Sequence, residues 1–143
     1  MKRPIDFIVA LLGLIALSPV LLIVSVLIWL QDRRSPFYVA DRVGRDERFF
    51  RMVKFRSMAV NADKSGVDST SSDDVRITAI GRLVRRTKLD ELPQLWNVLR
   101  GQMSLVGPRP NVEREVRLYS TEEKRLLSIR PGITDLASIV FAD

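Results

Sequence analysis

Apolar and polar positions are spread very unevenly along this chain. From Phe7 to Leu30 no residue carries a charge, and only Gly13, Ser18, Pro19 and Ser25 interrupt an otherwise apolar run of 24 residues. As a straight helix such a run would reach roughly 36 Å, enough to cross a bilayer. It is too long for a secretory signal, and no small-residue cleavage pattern follows it. Lys2 and Arg3 precede the run and Arg33 and Arg34 follow it. Because cationic flanks stay on the cytoplasmic face, both ends belong there, and a segment meets that demand by turning back. Ser18-Pro19 lies at its middle. Proline removes one helix hydrogen bond, and the serine hydroxyl can satisfy the freed carbonyl, so a bend is expected at this point. Each arm would be about 12 residues, roughly 18 Å at helical rise. Residues 1–34 are therefore expected to form a re-entrant membrane hairpin, with a single-pass helix that tolerates its proline as the alternative.

Residues 35–143 read as a small cytoplasmic domain, rich in α-helix and poor in β, with amphipathic helices at the membrane interface. Gln31 to Phe50 is a connection broken by Ser35-Pro36, and its arginines suit anionic headgroups. Phe49 to Met58 alternates apolar and basic residues, and periodicity leaves a strand and an interfacial helix equally open. As a strand it would put Lys54 and Arg56 on one face, within reach of one phosphate. Residues 61–74 are polar and turn-rich, as a mobile loop would be, and the acids Asp68, Asp73 and Asp74 match no calcium-loop spacing. Ile77, Ile80, Leu83 and Val84 recur at helical spacing among Arg82, Arg85, Arg86 and Lys88, an amphipathic basic helix running to Leu89. Further on, Glu113 to Tyr119 can form a helical piece. Ser120 to Glu123 has capping-box spacing for another, which Pro131-Gly132 ends. The short apolar stretch from Ile133 to Asp143 stops without an evident boundary, as a truncated chain would.

Composition narrows the chemistry. The 143 residues include neither Cys nor His. Disulfides, thiolate nucleophiles, Cys-based zinc sites and imidazole bases are therefore excluded, and any reaction must run on carboxylates, hydroxyls, Lys, Arg, Tyr and bound metal. A formal net charge of +6 and a pI near 10.3 call for an anionic partner: phosphate, lipid surface or nucleic acid.

The stretch from Thr87 to Pro110 concentrates what remains. Pro93 is tolerated only in a first helical turn, so a helix through Trp96 and Leu99 is expected to begin at Asp90 to Leu92 and to stop at Gly101. That would seat Asp90 and Glu91 at a helix N-terminus, where the dipole favours anions. Arg82, Arg85, Arg86 and Lys88 precede the pair, and the Gly107-Pro108-Arg109-Pro110 turn follows. Taken alone, an acid pair opening a helix is an ordinary structural signal. Surrounded by these cations, it supplies the materials of a phosphoryl-transfer site that needs a divalent metal.

Several motifs stand in a familiar order. They are Ser18-Pro19, Lys54-Phe55-Arg56-Ser57-Met58, Leu89-Asp90-Glu91-Leu92-Pro93-Gln94-Leu95, Asn97-Val98-Leu99, Met103 through Pro110, and Arg130 through Thr134. Together they resemble the bacterial sugar transferases called monotopic phosphoglycosyl transferases, over almost the whole chain. The resemblance implies transfer of a sugar 1-phosphate from a UDP-sugar to a polyprenol (undecaprenyl) phosphate, with release of UMP, at the cytoplasmic face of the bacterial inner membrane. It implies Mg²⁺ and an aspartyl phosphosugar intermediate, and it favours the re-entrant hairpin. Asp90 would be the nucleophile and a metal ligand, and Glu91 would hold the acid and metal or assist proton movement. Lys54, Arg56, Arg85 and Arg109 would bind phosphate or substrate. After Thr134 the segment Asp135-Leu136-Ala137-Ser138 departs from the Gly and aromatic residue many members carry. The sugar is not identified by any residue.

Two other classes are compatible with the charge. A nucleic-acid module would need a helix-turn-helix, zinc finger or aromatic stacking pattern, none of which is present, so nucleic acid is not an expected partner. A non-catalytic membrane scaffold is the second. A homo-oligomer is compatible with either the enzyme or the scaffold.

Overall fold

Helix α1 (Lys2–Asp32) forms because it is almost continuously apolar, with its leucines and alanines offsetting the weaker helix preference of its β-branched residues, and because the break at Pro19 is repaired locally. Proline at 19 has no N–H for the carbonyl of Ile15, and the Ser18 hydroxyl donates to that oxygen at 2.8 Å. The helical element therefore runs through the Ser18-Pro19 step. Among the described residues, α1 alone is long and apolar enough to cross a membrane. The computed structural model describes residues 2–60 and 74–135. The expected loop at 61–74 lies outside them apart from Asp74, and so does the chain after Asp135.

The remaining elements are β1 (Phe37–Val43), β2 (Phe49–Phe55), α2 (Ala79–Arg86), a 3-10 turn Leu89–Glu91, α3 (Gln94–Leu99), β3 (Ser104–Val106), α4 (Glu113–Val116), a 3-10 segment Glu123–Ser128 and β4 (Gly132–Thr134). Strands pair as two small sheets, β1 with β2 and β3 with β4. A mainly helical fold with little β is what the sequence led us to expect. The open choice over Phe49 to Met58 resolves as strand β2, where Phe50 and Met52 alternate into a core.

The chain divides into two units, and α1 and the β1–β2 sheet contribute to both. The first comprises Met1–Ser18, Val39–Val53 and Gln94–Asp143. Its core joins Ala10, Phe50, Met52, Leu95, Val98 and Met103, with Leu14 and Leu17 continuing the buried stripe of α1 at helical spacing. Charged residues dock the start of α1 here. Lys2 donates to the Val106 carbonyl, Arg3 to the carbonyls of Val98 and Leu99, and buried Asp6 accepts from the Ser104 hydroxyl. Arg3 thus caps the C-terminal end of α3, where cations are favoured. Gly101 ends that helix as expected, at φ +78, a conformation costly for any residue with a Cβ.

Asn97 is 1% exposed, and its side-chain amide accepts from Val53 N–H and donates to Arg51 C=O. Those two groups flank Met52, so the amide takes the place of a neighbouring strand along β2. Strands β3 and β4 run parallel, with Ser104 opposite Gly132 and Val106 opposite Thr134. A Cβ on Gly132 would sit 2.1 Å from the Gly107 amide nitrogen, so these glycines permit a backbone crossing. Ser120 and Glu123 exchange both capping-box hydrogen bonds, although the segment they open is 3-10.

The second unit comprises Pro19–Tyr38 and Lys54–Pro93. Val24, Ile28, Phe55 and Val84 form its core, with Leu21, Ile80 and Leu89 packed against them. The basic helix expected from Ile77 to Leu89 is shorter, Ala79–Arg86. Thr78 caps it by accepting from Gly81 N–H, and Lys88 at φ 59 turns the chain out of it. Gly81 lies so close to the Ser57 carbonyl that a Cβ would meet it at 1.8 Å. This close approach seats α2 on the segment that follows β2.

Candidate active site

Three short segments of the second unit build the site. Residues Leu89–Glu91 form a 3-10 turn closed by Glu91 N–H to Lys88 C=O and Leu92 N–H to Leu89 C=O, and α3 begins only at Gln94. This corrects the expected α-helix start at Asp90 to Leu92. Pro93 has no amide to continue the ladder, so the helix restarts beyond it, and the first turn of α3 contains no acid. The acid pair thus owes its environment to side chains rather than to a helix dipole.

Lys54, at the end of β2, places its ammonium 3.1 Å from Glu91 Oε1, both side chains being 19% exposed. Asp90 sits beside this pair. Its Oδ1 is buried and makes no hydrogen bond among the described residues, a costly state for an acceptor. Burial, followed by the neighbouring Glu91 charge, pushes the Asp90 carboxyl above its ordinary range, while Lys54 and Arg85 pull it down. Arg85 acts on Asp90 through space from the last turn of α2. The structure therefore brings together Asp90, Glu91, Lys54 and Arg85.

Arg56 departs from expectation. Its guanidinium faces Asp32 with Nη1 at 2.6 Å from Oδ2 and Nη2 at 2.7 Å from Oδ1, a two-pronged pair. Lys54 and Arg56 thus address different carboxylates in this structure. Asp32 carries a readable signal in the sequence, an acid closing the apolar run beside two arginines, that lies outside the motifs. Arg109 belongs to the first unit, where it is exposed between two prolines and lines a shallow cleft with Gly44, Asn111 and Tyr119.

A buried acid with an unpartnered oxygen among the described residues, a second acid paired to a lysine, and an arginine acting on the first through space are what a phosphoryl group needs. The sequence profile described as "Bacterial sugar transferase" matches residues 1–142. The chain belongs to the bacterial sugar transferase family. Among curated relatives, this chain is 41% identical over 153 residues to "Exopolysaccharide production protein ExoY" of Sinorhizobium fredii, covering 96% of this chain and 68% of the relative. It is 37% identical over 146 residues to the "UDP-N-acetylgalactosamine-undecaprenyl-phosphate N-acetylgalactosaminephosphotransferase" of Aeromonas hydrophila, covering 97% of this chain and 34% of that protein. It is 41% identical over 145 residues to the "Undecaprenyl-phosphate glucose phosphotransferase" of Komagataeibacter xylinus, covering 96% and 27%. The chain thus spans about two thirds of the first relative and about a third or less of the other two.

Proposed function

We propose that this chain transfers a sugar 1-phosphate from a UDP-sugar to a polyprenol phosphate, releasing UMP, at the cytoplasmic face of the bacterial inner membrane. The observation that carries this reading is Asp90 Oδ1, a buried carboxylate oxygen without a hydrogen-bond partner among the described residues, held beside Lys54, Glu91 and Arg85. In the first displacement an Asp90 oxygen attacks the phosphorus that bears the sugar. The Asp90–phosphorus bond forms, the bond to the bridging oxygen breaks, and UMP leaves with that oxygen. In the second, an oxygen of the polyprenol phosphate attacks the same phosphorus, the aspartyl bond breaks, and Asp90 is regenerated as a sugar-bearing lipid diphosphate departs. Splitting the transfer in two lets two bulky substrates use one site in turn. Lys54 and Arg85 offset the charge gathered on the transferred phosphoryl group, and Arg109 is proposed to bind phosphate oxygens of the donor.

The donor set is suited to Mg²⁺. That ion takes one or two carboxylates with phosphate oxygens and waters, and Asp90 Oδ1 is an available oxygen next to a second acid. Among the described residues no group of three or more acids could hold a metal alone, so the substrate's phosphates would complete the shell. When bound, the cation would offset phosphate charge and let both carboxylates stay ionised.

The re-entrant topology has physical support. Lys2, Arg3 and Asp6 hydrogen-bond to residues between Val98 and Val106, which lie after α1 in the chain. Among the described residues α1 alone is long and apolar enough to cross a membrane, and these hydrogen bonds favour a reading in which its start and the later segment lie on one membrane face. A bend at Ser18-Pro19 reconciles this with the length of the run.

The deciding experiment incubates purified protein with Mg²⁺, polyprenol phosphate and a panel of UDP-sugars. UMP release is expected with at least one donor, with the sugar phosphate trapped on Asp90 when the lipid is omitted. No turnover with any donor would favour a scaffold, and full turnover by Asp90→Asn would remove Asp90 as nucleophile.

A further inference from the structure

Lys54, Phe55 and Arg56 are consecutive, and each engages a different neighbour. Lys54 reaches Glu91, Phe55 is 2% exposed in the core with Val24, Ile28 and Val84, and Arg56 reaches Asp32 at the end of α1. Phe55 also stacks on Phe37, with ring centroids 5.4 Å apart and planes 16° from parallel. The Arg56 amide donates to the Pro36 carbonyl at 2.8 Å, closing the chain that leaves α1 back onto this tripeptide. Asp32 is pinned from a second side, its Oδ1 accepting from the Arg34 amide at 3.0 Å.

The Arg56 side chain is 12% exposed, and its Nε is buried without a hydrogen-bond partner among the described residues. Both guanidinium prongs are spent on Asp32, whose carboxylate matches their fork geometry. A guanidinium so committed is a structural cross-link. Releasing it for a phosphate would leave Asp32 without its cation and the end of α1 without its tie.

We propose that Asp32 and Arg56 form a positioning clamp: the pair ties the end of α1 to the residues that carry Lys54, and so sets where the Lys54 ammonium meets Glu91. Arg56 is in this account a positioning residue, and the height of the acid site relative to α1 is set by Asp32. The clamp rests on the proposed transfer reaction only for its kinetic consequence, and its geometry can be read without turnover.

The test uses the full chain in lipid nanodiscs, with Arg56→Ala, Asp32→Asn, the double variant, and the exchanged pair Asp32→Arg with Arg56→Asp. Zero-length carbodiimide coupling joins Lys54 to Glu91 as an amide, and mass spectrometry reads the yield. That yield is expected to fall by about threefold or more in each single variant, and to recover at least in part in the exchanged pair. For UMP release, each single variant is expected to lower kcat by about tenfold with little change in KM, and the double variant to be no worse than either. An Arg56→Ala variant whose KM for the UDP-sugar or the lipid rises while Asp32→Asn stays unchanged would overturn the clamp in favour of a phosphate ligand. Unaltered coupling in Asp32→Asn would overturn it too. If the parent protein turns over no donor, the transferase reading fails while the coupling yields still decide the clamp. Should the exchanged pair not fold, the single and double variants decide it.

Discussion

The Asp6 carboxylate accepts a 2.7 Å hydrogen bond from the Ser104 hydroxyl, joining the second turn of α1 to β3 across 98 residues of sequence. Asp6 is 5% exposed and Ser104 is 3% exposed, so neither can exchange its partner for water. Asp6→Ala is expected to destabilise the fold by about 1–3 kcal/mol, because it strands the Ser104 hydroxyl and an amide contact from Leu105. Ser104→Ala should be as harmful, and the double variant no worse than the more harmful single one. Thermal unfolding of the four proteins in one detergent checks the cycle; additive losses would show that the two residues act independently.

Asp90→Asn is expected to abolish turnover while raising stability near neutral pH. Burial and Glu91 raise the folded-state pKa of Asp90, so the folded protein holds that proton more tightly than the unfolded chain. Ionisation therefore costs stability: the penalty is absent below the unfolded value of about 3.9 and grows as pH rises through the folded value. Unfolding followed with chelator present should place the variant above the parent at pH 7 and the two together at low pH. A less stable variant at neutral pH would contradict the assigned environment.

Lys54 is half of a partly buried pair with Glu91 and also draws the Asp90 carboxyl down. Lys54→Met removes that cation while keeping the chain length. It is expected to lower turnover by about 10²–10³-fold, the usual effect of deleting one charge-stabilising group in an active site. Lys54→Arg should recover part of it. Initial rates of UMP release at saturating substrate measure both variants.

Gly132→Ala would place a Cβ 2.1 Å from the Gly107 nitrogen and 2.6 Å from the Thr134 carbonyl. Backbone on both sides cannot yield as a flexible side chain can, so β3 and β4 must separate. A loss of about 3 kcal/mol or more is expected, at the upper end of single-residue effects. Gly13→Ala is the control, since its Cβ would meet only the Leu95 side chain at 3.4 Å. Comparable melting temperatures for the two variants would refute the crossing.

Much was legible in the order of residues. The uncharged run marked α1, Ser18 next to Pro19 announced the carbonyl repair, Gly101 announced the end of α3, and Ser120 with Glu123 announced a reciprocal cap. Each depends on interactions spanning a few residues, so local spacing is sufficient to write it. Motif order also places Lys54 and Arg85 in the company of the acid pair, and the structure brings these four residues together, whereas Arg56 turns to Asp32. What local spacing could not supply was partner choice between distant segments. Asp32 takes Arg56, Lys54 takes Glu91, and Asn97 takes the edge of β2 because the fold brings those groups within reach of one another. The 3-10 turn at Asp90 has the same origin: Pro93 denies the next hydrogen bond and Lys88 reverses the backbone, so the acids sit ahead of α3. Sequence by itself therefore determined the helix, its repaired break and the residue types available to the site. Tertiary structure decided which cation neutralises which acid, since a desolvated charge is held by whatever packing brings within reach, and packing is a property of the folded chain.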